Sequence, residues 1–187
     1  MYLKKNLRFS GIIFFLVIFS SVNSWGFEAK KVEFLIDSGY FPVVKRLINS
    51  AQKSVQVMMF EASYYREYPG SPSNQLIEAV ADAGKRGLKV EVILEIKKKT
   101  ERTTKRNLKT GQILKKAGVE VIVDPEHTTT HTKLLIIDGN IVVLGSTNWT
   151  YNALTKNREI STVIYSEESA KHLQDYFQAV KSSGKKL

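Results

Sequence analysis

The feature that most constrains the fold of this chain is an alternation of short apolar runs with segments of helical periodicity. Apolar runs suited to β-strands lie at 32–36, 55–60, 88–96 and 119–123. Between them, apolar residues recur at helical spacing at 42–51, 73–83 and 108–117, the middle helix being capped by Ser73 or Asn74. This βαβαβαβ order is typical of a largely parallel sheet covered by crossover helices.

The alternation of predicted strands and helices ends after Pro125. Apolar runs at 134–137 and 141–144 are separated only by Asp138-Gly139-Asn140, which is a strong hairpin signal. A further strand at 159–165 and a helix from 167 to about 181 complete the chain. We therefore predict an α/β fold built on one mixed, mostly parallel β-sheet with helices on both faces.

The first residues have the pattern of a secretory signal peptide. Lys4, Lys5 and Arg8 precede an apolar run at 11–22, which small residues follow, so that cleavage after Ser24 or after Gly26 would suit the peptidase. The run is short for a bilayer span, which needs roughly 20 residues. We expect a signal peptide at 1–24, or an N-terminal anchor if it stays uncleaved, and a single domain at 25–187 in the periplasm or the medium.

Charge and cysteine content narrow the function classes. The formal net charge is +10, and residues 1–24 hold three basic and no acidic side chains, so their removal would leave +7. Such an excess favours polyanions, either nucleic acid or an acidic lipid surface. The chain has no cysteine, which excludes disulfides and thiolate metal ligands, and its histidines and carboxylates show no metal-ligand spacing. We predict neither a metal nor a cofactor.

Four polar residues in the predicted hairpin form a candidate site. His131 and Lys133 are two apart and share one face of a strand. If Gly139-Asn140 is a two-residue loop, Lys133 lies opposite Ser146 and His131 opposite Asn148. Phosphoryl oxygens would satisfy this patch, because Lys133 supplies charge while Ser146 and Asn148 supply neutral donors.

Asp138 is seven residues from His131, an odd number, so it should face away from this patch. Its expected role is to hold the turn or a neighbouring backbone amide.

The pattern His131-x-Lys133-x-x-x-x-Asp138, followed by Gly145-Ser146-Thr147-Asn148, resembles the HKD motif of the phospholipase D superfamily. The order of elements resembles the small single-motif bacterial endonucleases of that superfamily. The resemblance implies a phospholipase D-like fold and a metal-independent mechanism in which His131 attacks phosphorus to form a phosphohistidine. It also implies that Glu159 hydrogen-bonds and orients a catalytic histidine, whereas the alternative for Glu159 is an exposed strand charge.

The family mechanism uses a second histidine, which protonates the leaving oxygen. Neither His127 nor His172 is followed by a lysine two residues on, so the chain has only one motif. The resemblance to single-motif relatives therefore implies a homodimer whose active site lies on the two-fold axis.

Two further segments carry binding chemistry. The stretch 97–109 has seven basic residues and one acidic residue, so Lys98, Lys99, Lys105 and Arg106 are candidate nucleic-acid ligands, although such a run is commonly a solvated face. Tyr64, Tyr65 and Tyr68 follow a strand and could stack bases, line a lipid groove or simply pack.

The sequence supports three functions in descending order. The first is an exported nuclease that hydrolyses DNA or RNA. The second is a phospholipase D that acts on phosphatidyl head groups. The third is a non-catalytic nucleic-acid-binding module, which the complete motif disfavours.

Overall fold

The computed structural model describes residues 26–187 apart from Lys99 and Glu126. The predicted signal peptide at 1–24 lies outside the described residues. In the described part, no helix is long and apolar enough to cross a membrane.

The described chain forms one sheet with helices on both faces. Its strands are β1 (Lys31–Ile36), β2 (Ser54–Met59), β3 (Lys89–Leu94), β4 (Glu120–Val123), β5 (Lys133–Ile137), β6 (Ile141–Gly145), β7 (Ile160–Tyr165) and β8 (Lys185–Lys186). Its helices are α1 (Tyr40–Ser50), α2 (Pro72–Lys85), α3 (Arg102–Lys116), α4 (Tyr151–Thr155) and α5 (Glu167–Ser183).

The strand order is β1-β7-β6-β5-β2-β3-β4-β8. The predicted α/β fold with a mixed sheet is confirmed. Among the described strands, parallel pairing is confined to β2–β3 and β3–β4, a smaller share than the sequence rhythm indicated. The reason is that β5, β6 and β7 follow one another as antiparallel neighbours, and β1 pairs with β7 at the sheet edge instead of joining β2.

Two apolar layers hold the helices to the sheet. On one face, α1 and α2 pack their buried side chains, such as Ile48 and Ile77, against strand residues including Val57 and Leu135. On the other face, α5 packs through Ala170 and Phe177. The central strands, such as β5, are therefore buried on both sides, as their continuous apolar sequences predict, whereas β1 at the sheet edge is largely exposed.

The hairpin register differs from the predicted one. Leu134 pairs with Leu144 and Ile137 with Ile141, so the loop contains three residues, Asp138 to Asn140. The cause is the turn itself, in which Asp138 (φ 53°) and Gly139 (φ 71°) both adopt left-handed conformations. The expected pairs of Lys133 with Ser146 and of His131 with Asn148 are therefore wrong by one residue.

The start of α2 also differs from the prediction. The helix begins at Pro72 after Ser71, and neither Ser73 nor Asn74 is its cap. Instead, the Ser73 hydroxyl lies 2.5 Å from the Ser63 carbonyl oxygen and 2.7 Å from that of Trp149. Asn74 bonds the backbone of Tyr65 and Tyr68. Both side chains thus fasten α2 to the loop that follows β2.

Candidate active site

The predicted site residues gather at one edge of the sheet. Met59 at the end of β2 pairs with Lys133 at the start of β5, while Gly145 at the end of β6 pairs with Ser161 near the start of β7. Because these strands are neighbours, Lys133, Ser146 and Glu159 lie at the same ends of the strands, which we call the Lys133 edge. Asp138 lies at the other end of β5, and we call the opposite ends of the strands the Asp138 edge.

Lys133 and His131 contact each other directly. The Lys133 Nζ lies 2.7 Å from the His131 carbonyl oxygen and 3.2 Å from His131 Nδ1. Phe60, which follows β2, lies beneath both, with its ring centroid 4.5 Å from that of His131 and 4.9 Å from Lys133 Nζ. His131 is exposed, so its imidazole is accessible to a ligand while the lysine behind it is buried.

Burial determines the electrostatics of Lys133. Its side chain is almost inaccessible, at 6% exposure for the residue. Burial lowers the pKa of Lys133, and the Glu159 carboxylate raises it in part. A desolvated ammonium gains more from a phosphate than an exposed one would, because charges interact more strongly where the effective dielectric constant is low.

Glu159 links the polar residues between the end of β6 and the start of β7. Its carboxylate accepts hydrogen bonds from the Ser146 hydroxyl and from Asn157 Nδ2, the second at 3.0 Å. Its backbone N–H donates to Asp37 Oδ1 at 2.8 Å. Glu159 is buried, so the alternative of an exposed strand charge is excluded. Among the described residues its carboxylate bonds Ser146 and Asn157 and makes no hydrogen bond to His131, so its histidine-orienting role stays a prediction.

Asn148 has unused hydrogen-bonding capacity. Its Oδ1 is buried and has no partner among the described residues. Its neighbours are fixed, since Thr147 bonds Ser161 at 2.9 Å and Trp149 donates through Nε1 to the Tyr40 hydroxyl at 3.1 Å. A buried polar atom without a partner indicates a site that a ligand or water completes.

Gly145 permits the close approach of β6 to β7. A Cβ at this position would overlap Ser161 and lie 2.6 Å from the Ile160 carbonyl oxygen. The glycine before Ser146 is therefore required by packing.

Asp138 faces away from the site and bonds backbone amides, as predicted. Its carboxylate accepts from the backbone N–H groups of Gln52, Lys53 and Ser54 at 2.7–3.1 Å. Burial raises the pKa of Asp138, but these hydrogen bonds outweigh it and hold the pKa below its usual value.

Sequence reasoning missed an acidic pair that holds Thr130, the residue before His131. Glu95 and Asp124 directly follow β3 and β4, and both are buried. Thr130 donates its N–H to Glu95 Oε2 at 2.7 Å and its hydroxyl to Asp124 Oδ2. Burial raises the pKa of Glu95. The pair fixes the residue preceding His131, and the signal in the sequence was an acidic residue directly after each apolar strand.

The basic segment lies mainly on the first half of α3. Lys98 and Lys105 are exposed, whereas Arg106 is half-buried and bonds Glu61 Oε1 at 2.6 Å. Lys99 lies outside the described residues. His127 is exposed, and His172 packs its ring 5.1 Å from that of Phe27. Within the described ranges, no group of three or more His, Cys, Asp or Glu side chains is arranged to hold a metal ion.

Comparison with known proteins establishes the family. The family model described as "Cardiolipin synthase, PLD-like domain" matches residues 44–181. The chain belongs to this phospholipase D-like family, which confirms the resemblance of its motif.

Curated relatives are distant. A mitochondrial cardiolipin hydrolase of Canis lupus familiaris is 28% identical over 135 residues, 72% of this chain and 48% of the relative. A polyphosphate kinase of an Exiguobacterium species is 26% identical over 166 residues, 83% of this chain and 22% of the relative. The chain thus spans about half or less of the length of these proteins.

Solved structures show the same fold. Nuc of Salmonella typhimurium, a phospholipase D family member, superposes with a TM-score of 0.70 at 22% identity, covering 84% of this chain and 99% of Nuc. NucT of Helicobacter pylori gives a TM-score of 0.66 at 21% identity, covering 84% and 99%.

Proposed function

We propose that this protein is a metal-independent nuclease that hydrolyses DNA or RNA through a phosphohistidine on His131. The observation that carries the proposal is the exposed imidazole of His131 in contact with the buried Lys133 ammonium, at the same sheet edge as Ser146 and Glu159. The exposed Lys98 and Lys105 lie near the start of α3 and favour a polyanionic substrate. The predicted signal peptide at 1–24 favours action in the periplasm or the medium, or at a membrane if it is retained.

The chemistry proceeds in two displacements. A nitrogen of His131 attacks phosphorus, the bond to the leaving oxygen breaks, and a second histidine gives that oxygen a proton. Water then attacks the phosphohistidine, loses a proton to the second histidine and releases the phosphate from His131. Lys133 and the side-chain N–H groups of Asn148 would donate hydrogen bonds to the non-bridging oxygens, whose charge grows in both transition states. The Ser146 hydroxyl would join them once its hydrogen bond to Glu159 is released.

The test is to incubate the protein with labelled single-stranded DNA, duplex DNA, RNA and phosphatidylcholine in parallel, in excess EDTA. Nucleic acid should be cleaved, and His131→Ala should abolish the cleavage while leaving binding largely intact. Activity that EDTA removes and a divalent ion restores would contradict the metal-free mechanism.

A second candidate, phospholipase D activity, is favoured by an apolar patch beside the site. Phe34 and Ile36 on β1, Leu144 on β6 and Ile160 on β7 are all exposed. The strand register makes them neighbours on one face of the sheet. The cardiolipin hydrolase among the relatives also favours lipid. Turnover of phosphatidylcholine alone in the parallel assay would establish this candidate in place of the nuclease.

For the nuclease we propose a different use of the same apolar patch, as the interface of the predicted homodimer. It adjoins Ser146 and Glu159, because the Ser146 N–H donates to the Ile160 carbonyl oxygen at 3.1 Å. A two-fold axis through this region would bury the patch and bring the two His131 side chains towards each other. One dimer would then contain one working site with both required histidines.

Mixed dimers test this assembly. Wild-type and His131→Ala chains are mixed equally, refolded to randomise pairing, and assayed at fixed total protein. A shared site leaves roughly a quarter of the full activity, because only wild-type pairs work. Independent sites leave about half. A value near half, with exchange verified by mass, would rule out the shared site while sparing the histidine nucleophile.

A further inference from the structure

A large cavity beside the Lys133 edge has no role in the two-step mechanism. It has a volume of about 860 Å³ and lies between the loop after β2, α3 and α4. The side chains that define its chemistry are Glu61, Tyr65, Tyr68, Arg102, Arg106 and Tyr151. This volume falls in the range of small-molecule sites.

The cavity is lined by residues that are close in sequence to those of the candidate active site. Glu61 directly follows Phe60, the residue in contact with His131 and Lys133. On the other wall, Thr150 is two residues from Asn148, and the Trp149 N–H donates to the Glu61 carbonyl oxygen at 2.9 Å. Since two residues span about 7 Å at most, a ligand whose phosphate is bound by Asn148 could place an adjacent group in the cavity.

The walls are held in place by hydrogen bonds. Asn74 bonds the backbone of Tyr65 and Tyr68. The Tyr65 hydroxyl accepts from the Tyr151 N–H at 3.3 Å. Arg106 bonds Glu61 and lies 5.8 Å from the Tyr65 ring centroid. The cavity is thus shaped before any ligand arrives, which lowers the ordering cost of binding.

The lining suits a flat, polar, aromatic ligand. Tyr68 and Tyr151 are 67% and 43% exposed, so their rings have face area available for stacking. Lys156 lies 5.5 Å from the Tyr151 ring centroid and adds positive charge at the rim. A hydrocarbon chain would instead lie against the Arg106–Glu61 ion pair and the charged groups of Glu67 and Arg102, to which it offers no polar partner.

We propose that this cavity binds an unstacked base of a single-stranded nucleic acid, next to the phosphate under attack. The proposal rests on the proposed nuclease function and deepens it. A base within a duplex would have to leave its stack to enter, so the enzyme should prefer single strands.

The test combines protein and substrate changes. In the full chain carrying His131→Ala, which prevents cleavage, the Kd of a labelled single strand is compared with and without Tyr68→Ala plus Tyr151→Ala. Loss of stacking should weaken binding about tenfold. A strand with an abasic residue beside the cleavage position should bind the unaltered protein more weakly by a similar factor, and the tyrosine changes should then weaken binding little further.

Two control variants make the result specific. Tyr176→Ala alters a tyrosine of α5 with similar exposure, 49%, which is not part of the cavity lining, and should leave the Kd unchanged. Tyr68→Phe with Tyr151→Phe keeps both rings and should retain binding.

Equal weakening on intact and abasic strands, or no weakening at all, would overturn the base site. In the chain that retains His131, loss of phosphatidylcholine turnover with the tyrosine changes, with nucleic-acid binding intact, would assign the cavity to lipid and also overturn the base site. The proposed nuclease function is tested separately, because it fails if the wild-type chain does not cleave the single strand.

Discussion

The two ends of β5 each carry a charged side chain, Asp138 half-buried and Lys133 buried, and the surroundings shift their pKa values for opposite reasons. At the Asp138 edge, three backbone N–H groups bond the carboxylate and overcome the effect of burial, so the charged form is stabilised. At the Lys133 edge, burial dominates, and the charged form of the lysine is disfavoured. One short motif therefore contains a residue with a structural role, Asp138, and a residue whose charge a bound ligand would stabilise, Lys133. Its sequence spacing alone does not separate the two roles.

The largest expected effect comes from removing the charge at the Lys133 edge. Lys133→Met should lower kcat/KM by about a hundredfold or more, because it deletes a charged donor to the transition state. Its melting temperature should stay the same or rise, since a desolvated ammonium is replaced by an apolar chain of similar length. Activity assays and thermal unfolding measure the two effects. A sharp fall in the melting temperature would show that Lys133 is structural like Asp138.

A change at the Asp138 edge should lower the stability of the fold and leave the activity largely intact. Asp138→Ala leaves three amides without their acceptor and should lower the free energy of unfolding by about 2–3 kcal/mol. For a domain of this size, that lowers the melting temperature by roughly 4–12 °C. The activity of the folded fraction should remain within about threefold of wild type. A stable but inactive Asp138→Ala protein would contradict the division between the two edges.

The contribution of Asp138 should also depend on pH. Because its pKa is lowered on folding, the stabilisation is present above the unfolded pKa of about 3.9 and is lost as the pH falls through the folded pKa. The stability difference between wild type and Asp138→Ala should therefore be constant from about pH 5 to 8 and shrink below about pH 4. Urea unfolding across this range measures it. A difference that stays constant down to about pH 2.5 would show that the side chain acts by packing.

The smallest expected effect concerns the salt dependence of binding at the Lys133 edge. Replacing Lys98, Lys99 and Lys105 by serine should reduce the slope of log Kd against log salt by up to about one for each phosphate that is no longer neutralised. Adding Arg106→Ser should reduce it little more, because Glu61 already pairs with this guanidinium. Titration with single-stranded DNA at several salt concentrations measures the slope. An unchanged slope would identify the segment as a solvated face.

Local patterns allowed much of the fold to be predicted. The apolar runs gave β1 to β7, and helical periodicity gave α1, α2, α3 and α5, each within a few residues except the start of α3. The sequence did not reveal α4 or β8, which have only five and two residues. The hairpin register was wrong because one residue, Asp138, takes a positive φ that depends on amides far along the chain.

Site residues that are close together in the sequence could be predicted, whereas contacts between residues far apart in the sequence could not. His131 and Lys133 are two residues apart and meet as period-2 geometry requires. The hydrogen bonds of Thr130 with Glu95 and Asp124 join the loop after β3 to the loop between β4 and β5. An acidic residue directly after each apolar strand marks the two carboxylates in the sequence, but not their common partner. The cavity walls likewise depend on Asn74, whose bonds to Tyr65 and Tyr68 appear only once α2 has docked.

Gly145 has a consequence for how such a chain can diverge. Surface positions on α3 can change one at a time, whereas any larger residue at 145 requires a simultaneous displacement of β7, because Ser161 and the Ile160 carbonyl oxygen already occupy the space. Two coordinated changes arise far more rarely than one. Position 145 is therefore expected to change only together with a position on β7, even where His131 and Lys133 are kept.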